Sequence, residues 1–161
     1  MTIRRAEEKD IPKILDLLVQ VDMIHHNARP DIFKGPATKY NDNELRVILK
    51  NEATPVFICT DEKDFPLGHA FCIHKQITDD SVLTDIRTLY IDDICIDSSA
   101  RGKHIGKKLF DYVKGYAKSM GFYNITLNVW SCNKTAMKFY EAMGLLTVDF
   151  QIVFHNNYRG S

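Results

Sequence analysis

The chain has 161 residues, of which 45% are apolar, and its 21 lysines and arginines balance 21 aspartates and glutamates. This size suits one domain with a substantial core, which we expect to span residues 1–161. A formal net charge of zero lacks the overall basic excess of nucleic-acid-binding proteins, so any anion site must be local. No apolar run approaches the roughly 20 residues of a transmembrane helix, so no membrane association is expected.

The cysteines and the first ten residues favour a reducing cytoplasm. Cys59, Cys72, Cys95 and Cys132 form no CxxC pair and no zinc-ligand spacing. The first three lie in apolar, strand-like runs, which predicts buried free thiols. The opening sequence MTIRRAEEKD lacks the apolar segment of a signal peptide. We therefore expect a cytoplasmic protein without disulfides.

The spacing of apolar residues predicts two helices and four strands before residue 97. Residues 11, 14, 15, 18 and 21 recur on one helical face, and later apolar runs have the length of strands. The predicted elements are, in chain order, an edge strand at Thr2–Ala6, a helix at Ile11–Val21, a helix at Asn43–Asn51 capped by Asn41 or Asp42, a hairpin of Val56–Thr60 and Leu67–His74, and a strand at Arg87–Ile96.

Two segments, Asp22–Tyr40 and Ile77–Asp85, have no clear period and are predicted to be irregular connections. The first contains the adjacent histidines His25 and His26, which raises the question of a metal site. Neighbouring side chains on a helix or strand diverge, and no third ligand is close in sequence. A polar surface segment is therefore favoured, and no metal is expected.

The stretch from Tyr90 to Lys107, YIDDICIDSSARGKHIGK, reads as a strand, a tight loop and the start of a helix. The first backbone N–H groups of a helix have no intrahelical partner, and the helix dipole adds partial positive charge there. Such a place suits a phosphate, and glycine lets a ligand approach the backbone. The alternative is a simple strand–helix connection with a solvated basic cap.

The second half of the chain completes an alternating pattern. A long amphipathic helix has an apolar face of Ile105, Leu109, Tyr112, Val113, Tyr116 and Met120. Beyond it we predict a strand at Ile125–Val129, a helix at Asn133–Met143 and a strand at Leu146–Phe154. The fold class expected is α/β, with one mixed central β-sheet flanked by helices.

Two motifs in this order resemble the GNAT superfamily of acyl-CoA-dependent N-acetyltransferases. Its acyl-CoA motif, Arg/Gln-x-x-Gly-x-Gly/Ala between a strand and a long helix, corresponds to Arg101–Gly106. Its later motif, an Asn opening a helix with a Tyr seven residues on, corresponds to NKTAMKFYEAMGL at Asn133–Leu145. His104 replaces the first motif glycine; if that position requires a positive φ, histidine tolerates it less well than glycine. His104 could instead donate to a phosphate.

The resemblance implies a GNAT-type fold, acetyl-CoA as cosubstrate and an amine acceptor. Tyr140 occupies the position of the general acid that protonates the departing thiolate, and its alternative role is that of a core tyrosine. The residues implied in cofactor binding are Ile94, Cys95, Ile96, Arg101, Gly102, Lys103, His104, Ile105, Gly106, Lys107, Asn133 and Tyr140. Asn133 would bind the pantetheine arm and also cap its helix.

A base must remove the proton of an alkylammonium acceptor, because such an amine is almost fully protonated at pH 7. Asp92, in a mostly apolar strand, is the candidate; alternatively, Asp92 and Asp93 are a structural residue and a surface charge. The sequence around them is similar to the small-amine and diamine branch of the superfamily, with a polyamine as an example of an acceptor. Asp22–Tyr40 and Ile77–Arg87 are expected to line the acceptor site.

Three other readings compete with a small-amine acetyltransferase. An acetyltransferase acting on a protein or peptide amine would use the same motifs. A catalytically silent acyl-CoA-binding sensor would keep the glycine loop but would not need Tyr140 or a base. A different nucleotide-binding fold is disfavoured because the loop lacks the Gly-Lys-Ser/Thr ending of a P-loop. The oligomeric state is open between a monomer and a homodimer.

Overall fold

The computed structural model describes residues 1–149 and residue 151. Five strands form one mixed sheet in the order β1-β2-β3-β4-β5, which confirms the expected fold class. The elements are β1 (Thr2–Arg5), α1 (Ile11–Ala28), α2 (Asp42–Lys50), β2 (Val56–Thr60), β3 (Pro66–Gln76), β4 (Arg87–Ile96), α3 (Ile105–Ser119), β5 (Asn124–Leu127) and α4 (Lys134–Ala142), with single 3-10 turns at Glu8–Asp10 and Ser98–Ala100. Within this part of the chain, no helix is long and apolar enough to span a bilayer.

The sheet opens along one edge of β4. Strands β1 to β4 pair antiparallel, whereas β4 and β5 pair parallel from Thr88 opposite Asn124 to Ile91 opposite Leu127. Beyond Ile91, β4 continues to Ile96 while β5 has ended. The backbone groups on this edge of β4 therefore have no β5 partner and are available to another extended molecule.

The helices cover both faces of the sheet. On one face, α1 and α2 bury Ile14, Leu18 and Leu45 against the strands. On the other face, α3 buries Leu109 and Val113. The α4 residues Phe139 and Met143 pack against this second cluster. This two-sided burial fixes β4, and with it the open edge, between the helical layers.

Several sequence predictions differ from the structure. The strand predicted at Ile125–Val129 is β5, which spans Asn124–Leu127 and ends two residues earlier. Helix α1 extends past Val21 to Ala28. The buried stripe of α3 includes Phe110 and Ala117 instead of Tyr112 and Met120, which are 41% and 43% exposed. The predicted strand at Leu146–Phe154 does not form through residue 149, where Leu146 and Val148 are 87% and 92% exposed; Phe150, Ile152 and Phe154 lie outside the described residues.

The structure confirms the predicted cap of the second helix, the buried free thiols and the β-hairpin. The side chain of Asn41, not that of Asp42, caps α2 by accepting from the Glu44 N–H, and the Glu44 carboxylate accepts from the Asn41 N–H in return. All four cysteines are free, and Cys59, Cys72 and Cys95 are buried. The hairpin of β2 and β3 forms with the expected polar turn, although β3 is longer than predicted.

Candidate active site

Side chains of α1 hold the start of the glycine loop that joins β4 to α3. The carboxylate of Asp97, which is buried, accepts hydrogen bonds from Lys13 and from the Ser99 N–H. Gln20, also on α1, accepts from the Ser98 N–H at 3.0 Å. The Lys13 ammonium holds the pKa of Asp97 well below its usual range, with help from the Ser99 hydroxyl. These contacts fix the start of the loop relative to the core.

The backbone of the loop has the form of an anion cradle. Gly102 has φ 79° and His104 has φ 57°, so both lie in the left-handed region. The first helical bond of α3 runs from the Lys108 N–H to the His104 carbonyl at 3.1 Å, which leaves the preceding N–H groups without intrahelical acceptors. Alternating left-handed residues next to a helix N-terminus create a concave set of N–H donors. His104 thus adopts the left-handed conformation that the motif glycine would adopt more easily.

The side chains of the loop divide into three groups. Arg101, Lys103 and His104 are exposed, so their charge or donors can reach a bound phosphate. The Ile105 side chain is buried in the core, so only its backbone can contact a ligand. Lys107 is exposed, but its ammonium donates to Asp111 at 2.6 Å.

Gly106 allows α3, β4 and α4 to approach one another closely. A Cβ placed on it would lie 3.2 Å from Cε2 of Phe139 and 3.7 Å from Cγ1 of Ile96. The first distance is shorter than an ordinary van der Waals contact, so a side chain here would press on α4. Gly106 therefore lets the N-terminal turn of α3, beside the anion cradle, lie close to the helix that carries Tyr140.

The open end of β4 presents different chemistry on its two faces. Ile94 and Ile96 are half-buried against the α3 side of the sheet. Cys95 is buried on the opposite side, where its thiol donates to the Leu17 carbonyl at 3.4 Å. Burial raises the pKa of this thiol to about 12, which keeps it protonated. Cys95 can thus contribute backbone groups at the open edge but not a nucleophile.

Helix α4 begins at Asn133, whose side-chain oxygen accepts from the Ala136 N–H at 3.2 Å. This contact is the helix-cap role predicted from the sequence. Two turns later, the Tyr140 ring packs edge-on against Phe139. Burial raises the pKa of the Tyr140 hydroxyl, and the negative charge of Asp93 raises it further. None of the described residues hydrogen-bonds to this hydroxyl, so it is a protonated donor available to a ligand.

A β-bulge in β4 directs two consecutive carboxylates to one face of the sheet. Phe71 of β3 pairs with Asp93, and Cys72 pairs with Ile91, so Asp92 is the extra residue. The Asp92 carboxylate accepts from the Tyr40 hydroxyl at 2.6 Å and from Lys39 at 2.7 Å. Asp92, the predicted base, therefore has a hydrogen bond on each of its oxygens.

Asp93 has a different partner. Its Oδ2 lies 2.6 Å from Nε2 of His69, a β3 side chain that is 0% exposed. Its Oδ1 accepts no hydrogen bond from any residue of the described part of the chain. The Asp93 charge also acts on Tyr140, on His25 of α1 and on Tyr40. Asp93 therefore lies among the side chains that converge on the open edge.

Aromatic side chains link the first irregular segment to the loop before α4. The His25 ring stacks on Phe33 at 5.0 Å, and Phe33 packs edge-on against Trp130 at 4.9 Å. Nε2 of His25 lies 3.4 Å from Nδ2 of Asn133. These contacts place part of the Asp22–Tyr40 segment against the loop before α4 and form an apolar wall; that this segment lines the acceptor site stays a prediction. Trp130, which is 49% exposed, ends this wall at the surface.

Several members of this site were not identified from the sequence: Phe33, Lys39, Tyr40, His69 and Trp130. A histidine in an otherwise apolar β-strand was the one available signal, because a buried histidine requires a polar partner. The other four lie in irregular segments whose path a sequence pattern does not define. The adjacent histidines both contact Phe33: the His25 ring stacks on its ring, and Nδ1 of His26 lies 2.7 Å from its carbonyl oxygen. Across residues 1–149 and 151 no cluster of three or more His, Cys, Asp or Glu side chains could hold a metal ion.

Comparison with known proteins places the chain among acetyltransferases. The family model described as "Acetyltransferase (GNAT) family" matches residues 20–145. A glucosamine 6-phosphate N-acetyltransferase of Arabidopsis thaliana is 35% identical over 63 residues, and this stretch is 39% of the chain and 40% of that enzyme. The matched region is thus less than half of either protein.

Solved structures extend the similarity to nearly the whole chain. A tetramutant of the BH1408 protein from Bacillus halodurans has a TM-score of 0.91 at 26% identity, covering 96% of this chain and 99% of that one. The Arabidopsis thaliana glucosamine-6-phosphate N-acetyltransferase has a TM-score of 0.68 at 21% identity, covering 97% of this chain and 98% of that one. At that lower identity the second likeness supports the fold alone.

Proposed function

The chain belongs to the acetyltransferase (GNAT) family, and we propose that it transfers the acetyl group of acetyl-CoA to the primary amine of a small molecule. The observation that carries this proposal is the Tyr140 hydroxyl. It is protonated, has no hydrogen-bond partner among the described residues and lies within the electrostatic influence of Asp93 of β4. A silent acyl-CoA-binding module would have no need for this arrangement.

The cradle at Arg101–Lys107 would hold the pyrophosphate of CoA. Its N–H donors and left-handed residues fit an anion, and Arg101 and Lys103 add positive charge. The pantetheine arm would then run along the unpaired edge at Ile94–Ile96, where backbone groups can hydrogen-bond its amides. Asn133, which caps α4, would contact the same arm through its amide. The thioester would thereby reach Tyr140.

The reaction begins with removal of one proton from the ammonium group of the acceptor by a base. The free nitrogen lone pair then forms a bond to the thioester carbonyl carbon, and the carbonyl π electrons move to oxygen. A backbone N–H of β4 stabilises that oxyanion. The oxyanion electron pair then re-forms the C=O bond as the C–S bond breaks. The C–S electron pair leaves with sulfur, and Tyr140 protonates the thiolate. The second nitrogen proton restores the Tyr140 hydroxyl through solvent, so one proton is released overall.

A carboxylate of β4 is the proposed base. Asp92, the candidate from the sequence, would have to release its contacts with Lys39 and Tyr40 to accept a proton. The adjacent carboxylate, that of Asp93, would also be within reach of the same acceptor. In either case, the paired carboxylates attract the positively charged amine to this face of the sheet.

A small acceptor is favoured by the form of the site. The charge of Asp93 acts on His25, at one end of the aromatic wall of His25, Phe33 and Trp130. This wall can pack against the apolar part of an amine. The glucosamine 6-phosphate N-acetyltransferase that matches part of the chain acts on an amino sugar phosphate. This similarity supports a small-molecule acceptor without defining which one. A polyamine or a related amine fits the negative charge of Asp92 and Asp93. The buried free thiols suit a reducing cytoplasm as the compartment.

An acetyl-CoA turnover screen tests the proposal. Wild-type protein is incubated with acetyl-CoA and each member of a panel of polyamines, amino sugars, aminoglycosides and peptides, and release of the CoA thiol is measured. The expected result is amine-dependent thiol release with at least one small amine, with mass spectrometry detecting the acetylated product. Binding of acetyl-CoA without turnover of any amine would support the sensor instead, and turnover of peptides alone would support a protein acetyltransferase.

A further inference from the structure

His69 is a buried histidine with one unpaired nitrogen. Its side chain is 0% exposed, its Nε2 lies 2.6 Å from Asp93, and its Nδ1 has no hydrogen-bond partner among the described residues. A buried polar atom without a partner is uncommon in folded proteins and requires an explanation. The ring is neutral when Nε2 carries the proton and Nδ1 only a lone pair, and this tautomer donates to the Asp93 carboxylate.

The two carboxylates of the bulge differ in how many of their oxygens accept hydrogen bonds. Both oxygens of Asp92 accept hydrogen bonds, one of them from the positively charged Lys39. Asp93 uses only Oδ2, whose partner is Nε2 of His69, and its Oδ1 accepts no hydrogen bond from the described residues. A proton acceptor needs an accessible lone pair and no competing cation. Among the described residues, Asp93 has one oxygen without a hydrogen bond and no Lys or Arg partner, whereas both oxygens of Asp92 accept hydrogen bonds and one pairs with Lys39.

Asp93 lies among titratable side chains of several elements. Its charge acts on Tyr140 of α4, His25 of α1, Tyr40 and Cys95, and its carboxylate contacts His69 of β3. Asp22 also acts on His25, and Tyr40 donates to the adjacent Asp92. Of the cations, Lys39 is paired with Asp92, and Arg101 acts on the buried Cys95 thiol. Burial lowers the pKa of His25, so this ring favours its neutral form.

The geometry points to Asp93 as the base that deprotonates the acceptor amine, with His69 as the residue that positions its carboxylate. This inference rests on the proposed acetyl transfer and names the group that accepts the amine proton. The ammonium N–H bond breaks, its electron pair stays on nitrogen, and the proton moves to Oδ1 of Asp93. After transfer, neutral Asp93 returns that proton to solvent. The Nε2–H of His69 holds Oδ2 throughout, so the free oxygen keeps facing the acceptor, while Asp92 contributes charge.

The first test compares Asp93→Asn with Asp92→Asn in the full chain. Both substitutions remove one charge, and both amide oxygens can accept the existing hydrogen bond from Tyr40 or His69. Asp93→Asn should lower kcat about 10²–10⁴-fold at neutral pH, the usual range for general base catalysis. The loss should shrink as the pH rises toward the acceptor pKa, because free amine becomes abundant. Asp92→Asn should lower kcat less, and Glu62→Gln at the exposed β2–β3 turn controls for loss of a carboxylate.

The second test separates positioning from packing. His69→Leu removes the donor to Asp93, whereas His69→Gln can place an amide N–H near the position of Nε2. Loss of a hydrogen bond to the charged form raises the pKa of a carboxylate. The acid limb of kcat/KM should therefore move to higher pH in His69→Leu and return toward wild type in His69→Gln. A role in packing alone would change the thermal stability of both variants and leave the acid limb in place.

The outcomes separate this inference from the proposed function. If wild-type protein acetylates an amine but Asp93→Asn stays within about twofold at neutral pH, or Asp92→Asn loses more activity, the base assignment is overturned and acetyl transfer stands. An unchanged acid limb in a folded His69→Leu variant overturns the positioning role. If the wild type acetylates no amine, the proposed function and the base assignment fall together. The inference is supported when Asp93→Asn shows the larger, pH-dependent loss.

Discussion

Asp92 and Asp93 are neighbours in a β-strand, yet both carboxylates lie on the α1–α2 face of the sheet. Asp92 contacts Tyr40, whose ring stacks on Phe71, and Asp93 contacts His69, whose ring packs edge-on against the same Phe71. Consecutive side chains of a regular strand would point to opposite faces. The bulge at Asp92 removes this alternation and brings two carboxylates to the same face of the sheet.

The ion pair between Lys39 and Asp92 provides a way to identify the base. In Lys39→Met, Asp92 loses its paired cation, whereas the contact between His69 and Asp93 is unchanged. If Asp93 is the base, the acid limb of kcat/KM should stay close to that of wild type, because Lys39 is not a direct partner of Asp93. The measurement is the pH profile of the variant beside that of wild type. An acid limb displaced upward by a full unit would instead indicate Asp92 as the base.

The left-handed His104 predicts opposite effects for two substitutions. His104→Gly should retain acetyl-CoA binding and stability, because glycine adopts φ near 57° without a Cβ penalty. His104→Val should destabilise the loop by about 1–2 kcal/mol, since a β-branched residue is strained in this conformation, and should weaken acetyl-CoA binding. Calorimetric Kd values and thermal denaturation measure both effects. A marked loss of affinity in His104→Gly would show that the imidazole itself contacts the phosphates.

The buried Asp97 should make the protein sensitive to acid. Its pKa is lowered in the folded protein, chiefly by Lys13, so its stabilising effect is complete above the unfolded pKa of about 3.9 and is lost as the pH falls through the folded value. Asp97→Asn should cost about 1–3 kcal/mol at pH 7, since Lys13 and the Ser99 N–H lose a charged acceptor. The difference from wild type should shrink below about pH 4.

Asp64→Asn is the matched control for that experiment. Arg4 and Lys9 also lower the pKa of Asp64, to about 2, but this side chain is 46% exposed. Solvent screens exposed pairs, so this substitution should affect stability less than Asp97→Asn. Thermal denaturation of both variants between pH 2 and pH 7 measures the comparison. Equal losses in the two variants would contradict a special role for the buried contact beneath the loop.

The aromatic wall predicts an effect on the acceptor and not on acetyl-CoA. Trp130→Ala removes the exposed end of the wall and leaves Phe33 without its edge contact. The KM of the acceptor should rise several-fold to tenfold, because an apolar contact of this size contributes about 1 kcal/mol. The Kd of acetyl-CoA should stay within about twofold. A raised Kd for acetyl-CoA with an unchanged acceptor KM would place Trp130 on the cosubstrate side.

Sequence patterns predicted the elements that pack on the sheet more accurately than those around the site. The α3 helix and its glycine loop were identified because apolar spacing and loop chemistry are local signals. The α1 helix was predicted too short because residues 22–26 are only half-buried and residues 27 and 28 are exposed, so the apolar period fades where the helix no longer covers the core. The bulge that reorients Asp92 depends on pairing with β3, which no local pattern encodes. His69 and Asp93 likewise come together only through the β3–β4 register.

The most direct test of the central claim is the single-turnover rate of Tyr140→Phe with acetyl-CoA and an amine that wild type acetylates. The substitution keeps the ring that packs against Phe139 and removes only the hydroxyl. Single-turnover conditions exclude product release from the rate. We predict a rate about 10²–10⁴-fold below wild type with nearly unchanged Kd for acetyl-CoA and unchanged thermal stability. A rate within about twofold of wild type would contradict the role of Tyr140 as the acid that protonates the departing thiolate.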